Sequence, residues 1–452
     1  MNESGAHSSL YRAVWRWHFY AGLIVMPFLI LLAVTGSLYL FKPEIERLVY
    51  GDMIEVAERG ERASLAAVKA TFEMALNGDV LQMRLPERSD RSIQALVRTP
   101  SGIVRTAYAD PYDARFLGST EYGGIMRTIA KVHSLQLFGF WASSLIEIAA
   151  GWAIIMVISG VFLLWPRRAG GGVVSVRGAP RQRVFWRDTH AIIGAFAGAF
   201  ILFLAVTGMP WSMFWGANVQ QWAAVQGLGR PAAPASVTPS FLLGVSQDQS
   251  SRHTHGQVVT TEQLPWALQQ SDRPHSAHAP HDAARLSIDD AAAHFEALGV
   301  PRPFAVQFPE GALGAWAATY APDQVEKVRL VYLDQHTGDV IGDVGYAEFG
   351  AAAKAIEWGI AVHEGRQYGA INRYLMLLAC MAIVGLAITG LAMWWKRRPK
   401  GRLAAPPAPE QKAAGIMVLV VIGAIYPLTG LSIMVALCVD NVARRVAARM
   451  AR

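Results

Sequence analysis

Apolar and polar positions alternate along this chain in long blocks. Five apolar stretches, near residues 18–41, 142–165, 190–214, 371–395 and 415–438, approach or exceed the roughly 20 residues that cross a hydrocarbon core. Two long connections of mixed polarity, 43–130 and 215–365, separate them. The pattern predicts an α-helical integral membrane protein. The first stretch is too long for a signal peptide and no small-residue cleavage site follows it, so an uncleaved helix is expected.

Shorter periods appear inside the connections. In the first, Ala63–Leu76 has helical spacing, and Val80–Leu85, Ser92–Thr99 and Ile103–Asp110 read as strands. In the second, Ser287–Leu298 reads as a helix. The two regions also resemble each other. Tyr108, Asp110 and Gly118 return at one constant spacing as Tyr332, Asp334 and Gly342. The Asp-rich runs Asp110–Gly118 and Asp334–Gly342 have hairpin-turn chemistry. Two small α+β units are therefore predicted. A Pro/Ala/His-rich stretch, 228–285, precedes the second and holds His253, His255, His275, His278 and His281. Its composition reads as a polar linker. The spacing of His275, His278 and His281 also allows loose metal binding.

Charge orients the helices. Arg12 and Arg16 precede the first apolar run, Arg167, Arg168, Arg177, Arg181, Arg183 and Arg187 lie between the second and third, and Lys396, Arg397, Arg398, Lys400 and Arg402 follow the fourth. These segments are expected on the cytoplasmic side and the two connections outside. The same positions suit a patch for acidic lipid, and nothing supports a nucleic-acid reading of the basic excess. A fifth crossing conflicts with this rule, because Arg444, Arg445, Arg449 and Arg452 would then lie outside. Pro427 leaves a re-entrant hairpin as the alternative there. Cys380 and Cys438 fall in apolar runs and read as buried thiols. No Cys-x-x-Cys-His occurs, which excludes covalent haem attachment of the c type.

The apolar runs are themselves repeated. His18…Gly22…Thr35-Gly36 returns without a change of spacing as His190…Gly194…Thr207-Gly208. Val132-His133…Gly160 returns in the same way as Val362-His363…Gly390. A lone histidine at a helix end is ordinarily an interfacial or hydrogen-bonded residue. Four in two equivalent pairs point to bis-histidine haem ligation, in which two neutral imidazoles take opposite faces of one ring. Topology puts His18 and His190 at the inner face and His133 and His363 at the outer one. Pairing within one half fails on distance, since the first helix is roughly 30 Å long. The pairs are thus His18/His190 and His133/His363, two b-type haems. Glycines 22/194, 36/208 and 160/390 permit close approach of helices or of a flat macrocycle. Arg16 and Arg187, and on the outer side Arg127, Arg366 and Arg373, are candidate propionate partners. Asp188 is a candidate to orient His190 or to cap its helix. Trp141, Trp152 and Trp211 are candidates for an electron path between the pairs.

The helix openings Trp17-His18-Phe19-Tyr20-Ala21-Gly22-Leu23 and Arg187-Asp188-Thr189-His190 resemble the PepSY-associated transmembrane-helix family, and the Tyr-x-Asp turns resemble PepSY domains. The two copies differ before the histidine, where Thr189 answers Trp17, and Asp113-Ala114 replaces the usual Thr-Gly in the first turn. The resemblance runs to about Arg398 and leaves out the His-rich linker. It implies a multi-pass protein of the bacterial inner membrane with periplasmic PepSY domains. It also implies kinship with haem-containing ferric-siderophore reductases.

The expected organisation is a four-helix core from a duplicated helix pair, a fifth hydrophobic helix and two PepSY-like domains. The segments are 1–42 (first helix), 43–130 (first PepSY-like domain), 131–168 (outer-haem segment and second helix), 169–188 (loop) and 189–215 (third helix). After them come 216–285 (linker), 286–358 (second PepSY-like domain), 359–398 (outer-haem segment and fourth helix), 399–413 (loop) and 414–452 (fifth helix and tail). The expected activity is transmembrane electron transfer to a ferric siderophore. Without a Gly-x-Gly-x-x-Gly fingerprint, the electrons would come from a cytoplasmic partner or quinol. The rival readings are a non-enzymatic PepSY regulator or binding protein and a transporter. The transporter suits repeated helices but not apolar runs almost free of charge at mid-depth.

Overall fold

The computed structural model describes residues 3–165, 175–212, 284–398 and 420–450, with short pieces between 214 and 228 and at 274–276. The first half runs α1 (Glu3–Tyr39), α2 (Lys42–Ile54), α3 (Leu65–Leu76), β1 (Asp79–Leu85), β2 (Ile93–Arg98), β3 (Val104–Ala109), β4 (Phe116–Glu121), α4 (Gly124–His133) and α5 (Phe140–Leu164). The second runs α6 (Arg183–Gly208), α7 (Ile288–Ala297), β5 (Phe304–Gln307), β6 (Ala315–Tyr320), β7 (Arg329–Asp334), β8 (Val340–Gly345), α8 (Ala351–His363) and α9 (Gly369–Arg397). A last helix, α10, covers Pro427–Met450.

Leu10–Tyr39, Phe140–Leu164, Arg183–Trp211 and Gly369–Arg397 are long and apolar enough to cross a membrane. They form a ring. Both α1 and α6 pack against α5 and α9, so α1 stands diagonally opposite α6. Small residues line the interior: Ala21, Ala33, Ala149, Gly151, Ala153, Ala197, Gly198 and Ala379 are buried. Large apolar side chains such as Leu23, Val34, Leu202 and Ile388 face outward. This is the arrangement of helices in lipid, where burial of apolar surface between helices drives nothing and close backbone approach does.

The fifth apolar run behaves differently from the other four. Its first residues, 415–419, lie outside the described ones, and the apolar part of α10 extends only over Pro427–Val439. α10 packs on α5, with Thr429 Oγ1 against the main chain of Glu147 and Ile148. The Trp152 indole N–H donates to Ser432 Oγ at 2.9 Å. Cys438, expected to be buried, is exposed on this helix, while Cys380 on α9 is buried as expected. Among the described residues, α10 covers one flank of the ring and packs chiefly on α5.

The first three strands lie within a residue of their predicted bounds, but the two α+β units are not separate. The eight strands among the described residues form one antiparallel sheet in the order β4-β3-β2-β1-β5-β6-β7-β8. The seam is β1 against β5, with Met83 opposite Val306 and Arg84 opposite Ala305. Pairing these strands removes the open edge that each unit alone would present. The core is shared as well: Phe72 and Val97 of the first unit pack in one cluster with Phe295, Phe304 and Val331 of the second. Asp289 at the start of α7 accepts from the main-chain N–H of Leu65 (2.6 Å) and Ala66 (3.0 Å), which caps α3 across the seam. The repeated aspartates are turn residues. Asp110 accepts from the N–H of Tyr112, and Asp334 from the N–H groups of His336 and Thr337.

Candidate functional site

The four repeated histidines are gathered on the diagonal of the ring. His18 lies on α1 and His190 on α6, and their rings stand 6.5 Å apart at 86°. His133 ends α4, which packs on α1, and His363 ends α8, which packs on α6. The second pair therefore straddles the same diagonal at the end of the ring nearest the sheet. Burial first, then the nearby His363, push the His133 imidazole down to about 4. Burial pushes His363 down to about 4 as well. Both are thus neutral near pH 7, with a nitrogen lone pair available.

Each of these four histidines meets the same pair of groups. Its Nδ1 lies within hydrogen-bonding distance of a hydroxyl on a neighbouring helix, and the residue after that hydroxyl is a glycine against its Cε1. For His18 the pair is Ser159 Oγ (2.9 Å) and Gly160. For His190 it is Thr389 Oγ1 (2.8 Å) and Gly390. For His133 it is Thr35 Oγ1 (2.8 Å) and Gly36. For His363 it is Thr207 Oγ1 (2.9 Å) and Gly208. A Cβ on Gly160 would stand 3.2 Å from His18, and one on Gly208 3.4 Å from His363. The repeat is therefore a reciprocal device. α1 carries His18 near one end and, near the other, the Thr35-Gly36 pair that seats His133. α6 does the same with His190 and the Thr207-Gly208 pair that seats His363. At 1.5 Å per residue the two levels are about 25 Å apart. The glycines are legible in the sequence as a repeat, whereas the role of the hydroxyls beside them is not. The signal that marks them is recurrence of Ser or Thr immediately before the repeated Gly in all four places.

Other candidates fall elsewhere. Asp188 does not reach His190; its carboxylate takes Arg177 and Arg187, each at 2.8 Å. Arg187 is thereby engaged, as are Arg366 by Glu364 (2.7 Å) and Arg373 by Glu44 (2.6 Å). The guanidinium of Arg16 lies over Tyr20 and that of Arg127 over Tyr122. Gly22 and Gly194 face Met156 and Leu386 instead of a histidine. Trp152 is buried and stacks on Trp17, next to His18, with ring centres 6.5 Å apart. Trp141 and Trp211 are exposed and do not bridge the two levels. Of the linker histidines, His275 is described and exposed, and the others lie outside the described residues.

One buried acid interrupts the apolar interior of α5. Glu147 is fully buried, its Oε2 accepts from the Trp215 N–H at 3.0 Å, and its Oε1 has no hydrogen-bond partner among the described residues.

Two imidazoles bonded to one metal through nitrogens at about 2 Å have ring centres about 6 Å apart, which the 6.5 Å between His18 and His190 matches. Among the described residues no three His, Cys, Asp or Glu side chains converge to hold a bare ion. Two histidines fit a group that brings its own equatorial ligands, as haem does. The four apolar helices of spanning length and the antiparallel sheet are those of a helical membrane protein with an additional sheet domain. The family model for the PepSY-associated TM region matches residues 15–397, and the chain belongs to that family. Curated proteins yield no match.

Proposed function

We propose that this protein is a di-haem b-type oxidoreductase of the bacterial inner membrane that carries electrons outward to reduce ferric siderophore in the periplasm. The observation that carries the reading is the His18/His190 pair, set across the diagonal of the ring at 6.5 Å. His133 and His363 would hold the second haem at the sheet end. Each haem supplies a one-electron carrier when bound. The chain's own residues seat the imidazoles by hydroxyls and clear space with glycines.

In this reading the basic segments, including Arg177, Arg181 and Lys396, face the cytoplasm and the sheet faces the periplasm. A cytoplasmic reductant or a membrane quinol gives up the electrons. One electron converts the Fe³⁺ of the chelate to Fe²⁺, whose hold on hard oxygen ligands is weaker, and iron is released. A groove of about 330 Å³ beside α2 is lined by Arg47, Arg84, Arg88 and Arg91 with Glu46 and Glu87, but Arg47 and Arg91 pair with Glu55 and Arg88 with Asp90, so its charge is largely balanced. The test is a reduced-minus-oxidised spectrum of the purified protein, followed by addition of ferric siderophore as oxidant. A Soret shift that the chelate reverses is expected. A protein without haem, or a reduced haem that the chelate leaves unchanged, overturns the reading.

A further inference from the structure

We propose that Thr35, Ser159, Thr207 and Thr389 are positioning residues that lock each histidine as its Nδ1–H tautomer, so that Nε2 is delivered unprotonated to the space between the paired rings. This rests on the haem reading for its purpose, but the proton argument stands on the protein alone.

A hydroxyl has one proton to give. In each case that proton is directed into the hydroxyl's own helix. Thr35 Oγ1 lies 2.6 Å from Leu31 O, Thr207 Oγ1 2.8 Å from Phe203 O, Thr389 Oγ1 2.8 Å from Gly385 O, and Ser159 Oγ 3.0 Å from Met156 O. Two oxygens this close need the proton between them. The hydroxyl is then an acceptor toward the histidine, and Nδ1 must be the donor. His18 shows this independently. Its Nδ1 also lies 3.0 Å from Met156 O, a carbonyl with no proton to offer, so Nδ1 has to carry one. A neutral imidazole protonated at Nδ1 has its lone pair at Nε2. Packing alone would not require the same proton arrangement at four sites from four different helices.

The four sites are not equally secured. Met156 stands behind His18, and the backbone of Leu386, its counterpart in the repeat, also engages His190. His133 and His363 rest on Thr35 and Thr207 without a second acceptor at Nδ1 among the described residues. Removing a hydroxyl should therefore disturb the sheet-end pair more than the other. A hydrogen bond from Nδ1–H also makes the bound imidazole a stronger electron donor to a metal, so its loss should raise the site's reduction potential.

The experiment compares Thr35→Val, Thr207→Val, Ser159→Ala and Thr389→Val with the conservative swaps Thr35→Ser, Thr207→Ser, Ser159→Thr and Thr389→Ser in the full chain. Potentiometric titration reads the haem-loaded protein, and ¹⁵N NMR of labelled histidine reads the tautomer with or without haem. The expectation is a rise of about 59 mV, a tenfold shift in a one-electron equilibrium, at the sheet-end site in Thr35→Val or Thr207→Val. Ser159→Ala and Thr389→Val should shift the other site less, and the four swaps should leave the potentials in place. If the protein binds no haem, the function proposed above fails. The tautomer is then still read by NMR, where Nδ1–H at the four histidines upholds this inference and Nε2–H overturns it. Unchanged potentials in loaded Thr35→Val and Thr207→Val also overturn it.

Discussion

Gly160 faces His18 so closely that an added Cβ would lie 3.2 Å from the imidazole Cε1. At Gly208, Gly36 and Gly390 the corresponding distances are 3.4, 3.6 and 3.7 Å. A graded response to Gly→Ala should follow, because a contact below ordinary van der Waals range forces a rigid ring to move. On the di-haem proposal, Gly160→Ala is expected to reduce haem retention most, Gly208→Ala next, and Gly36→Ala and Gly390→Ala least. Pyridine haemochrome assays of the four variants after identical purification measure this. An inverted order would mean that the glycines serve helix contact and not the histidines.

Single ligand removals should separate the two levels. On the di-haem proposal, His18→Ala or His190→Ala is expected to halve haem content and leave the sheet-end signal, and His133→Ala or His363→Ala to remove the sheet-end signal and leave the other. Low-temperature difference spectra resolve the two. Loss of both haems from every variant, with the protein still folded by circular dichroism, would argue against two independent sites.

Glu147 should tolerate an amide and not a hydrocarbon. Its Oε2 satisfies the Trp215 N–H, which Glu147→Gln preserves through the amide oxygen. Glu147→Leu leaves that half-buried donor without its partner, at a cost of up to about 1–3 kcal/mol. Thermal unfolding in detergent should show a drop for the leucine variant and little change for the glutamine. Equal stability of the two would show that the bond contributes nothing.

Across the sheet seam, Asp289 takes the N–H groups of Leu65 and Ala66. Asp289→Ala removes this cap and is expected to cost about 0.5–2 kcal/mol. Hydrogen exchange should rise first in Leu65–Leu76. Uniform exchange over both units would indicate that the cap does not act locally.

The flank held by α10 lies against Gly151, where an added Cβ would meet the Thr429 side chain below contact distance and force one of the two to shift. Gly151→Val is expected to detach Pro427–Met450 and make it accessible to protease, and Thr429→Gly to restore protection in part to a Gly151→Ala variant. Undiminished protection in Gly151→Val would place the anchoring elsewhere, at Trp152 and Ser432.

Much of this architecture follows from periodicity and repetition. Long apolar runs mark the four spans because a bilayer imposes one length on every crossing helix. Two-residue alternation located β1 to β3 closely, because one face of a sheet is buried. The repeat paired the four histidines, because duplicated halves of one chain pack about a common axis. The tertiary structure decided what no local pattern encodes. It joined the two units at β1 and β5, a pairing between strands far apart in the chain. It turned Asp188 away from His190 and toward Arg177 and Arg187. It also placed Thr35, Ser159, Thr207 and Thr389 at the Nδ1 atoms. A serine or threonine in an apolar helix looks the same in sequence whether it bonds its own backbone alone or also accepts a hydrogen bond from a side chain on another helix. Only the approach of the second helix separates the two.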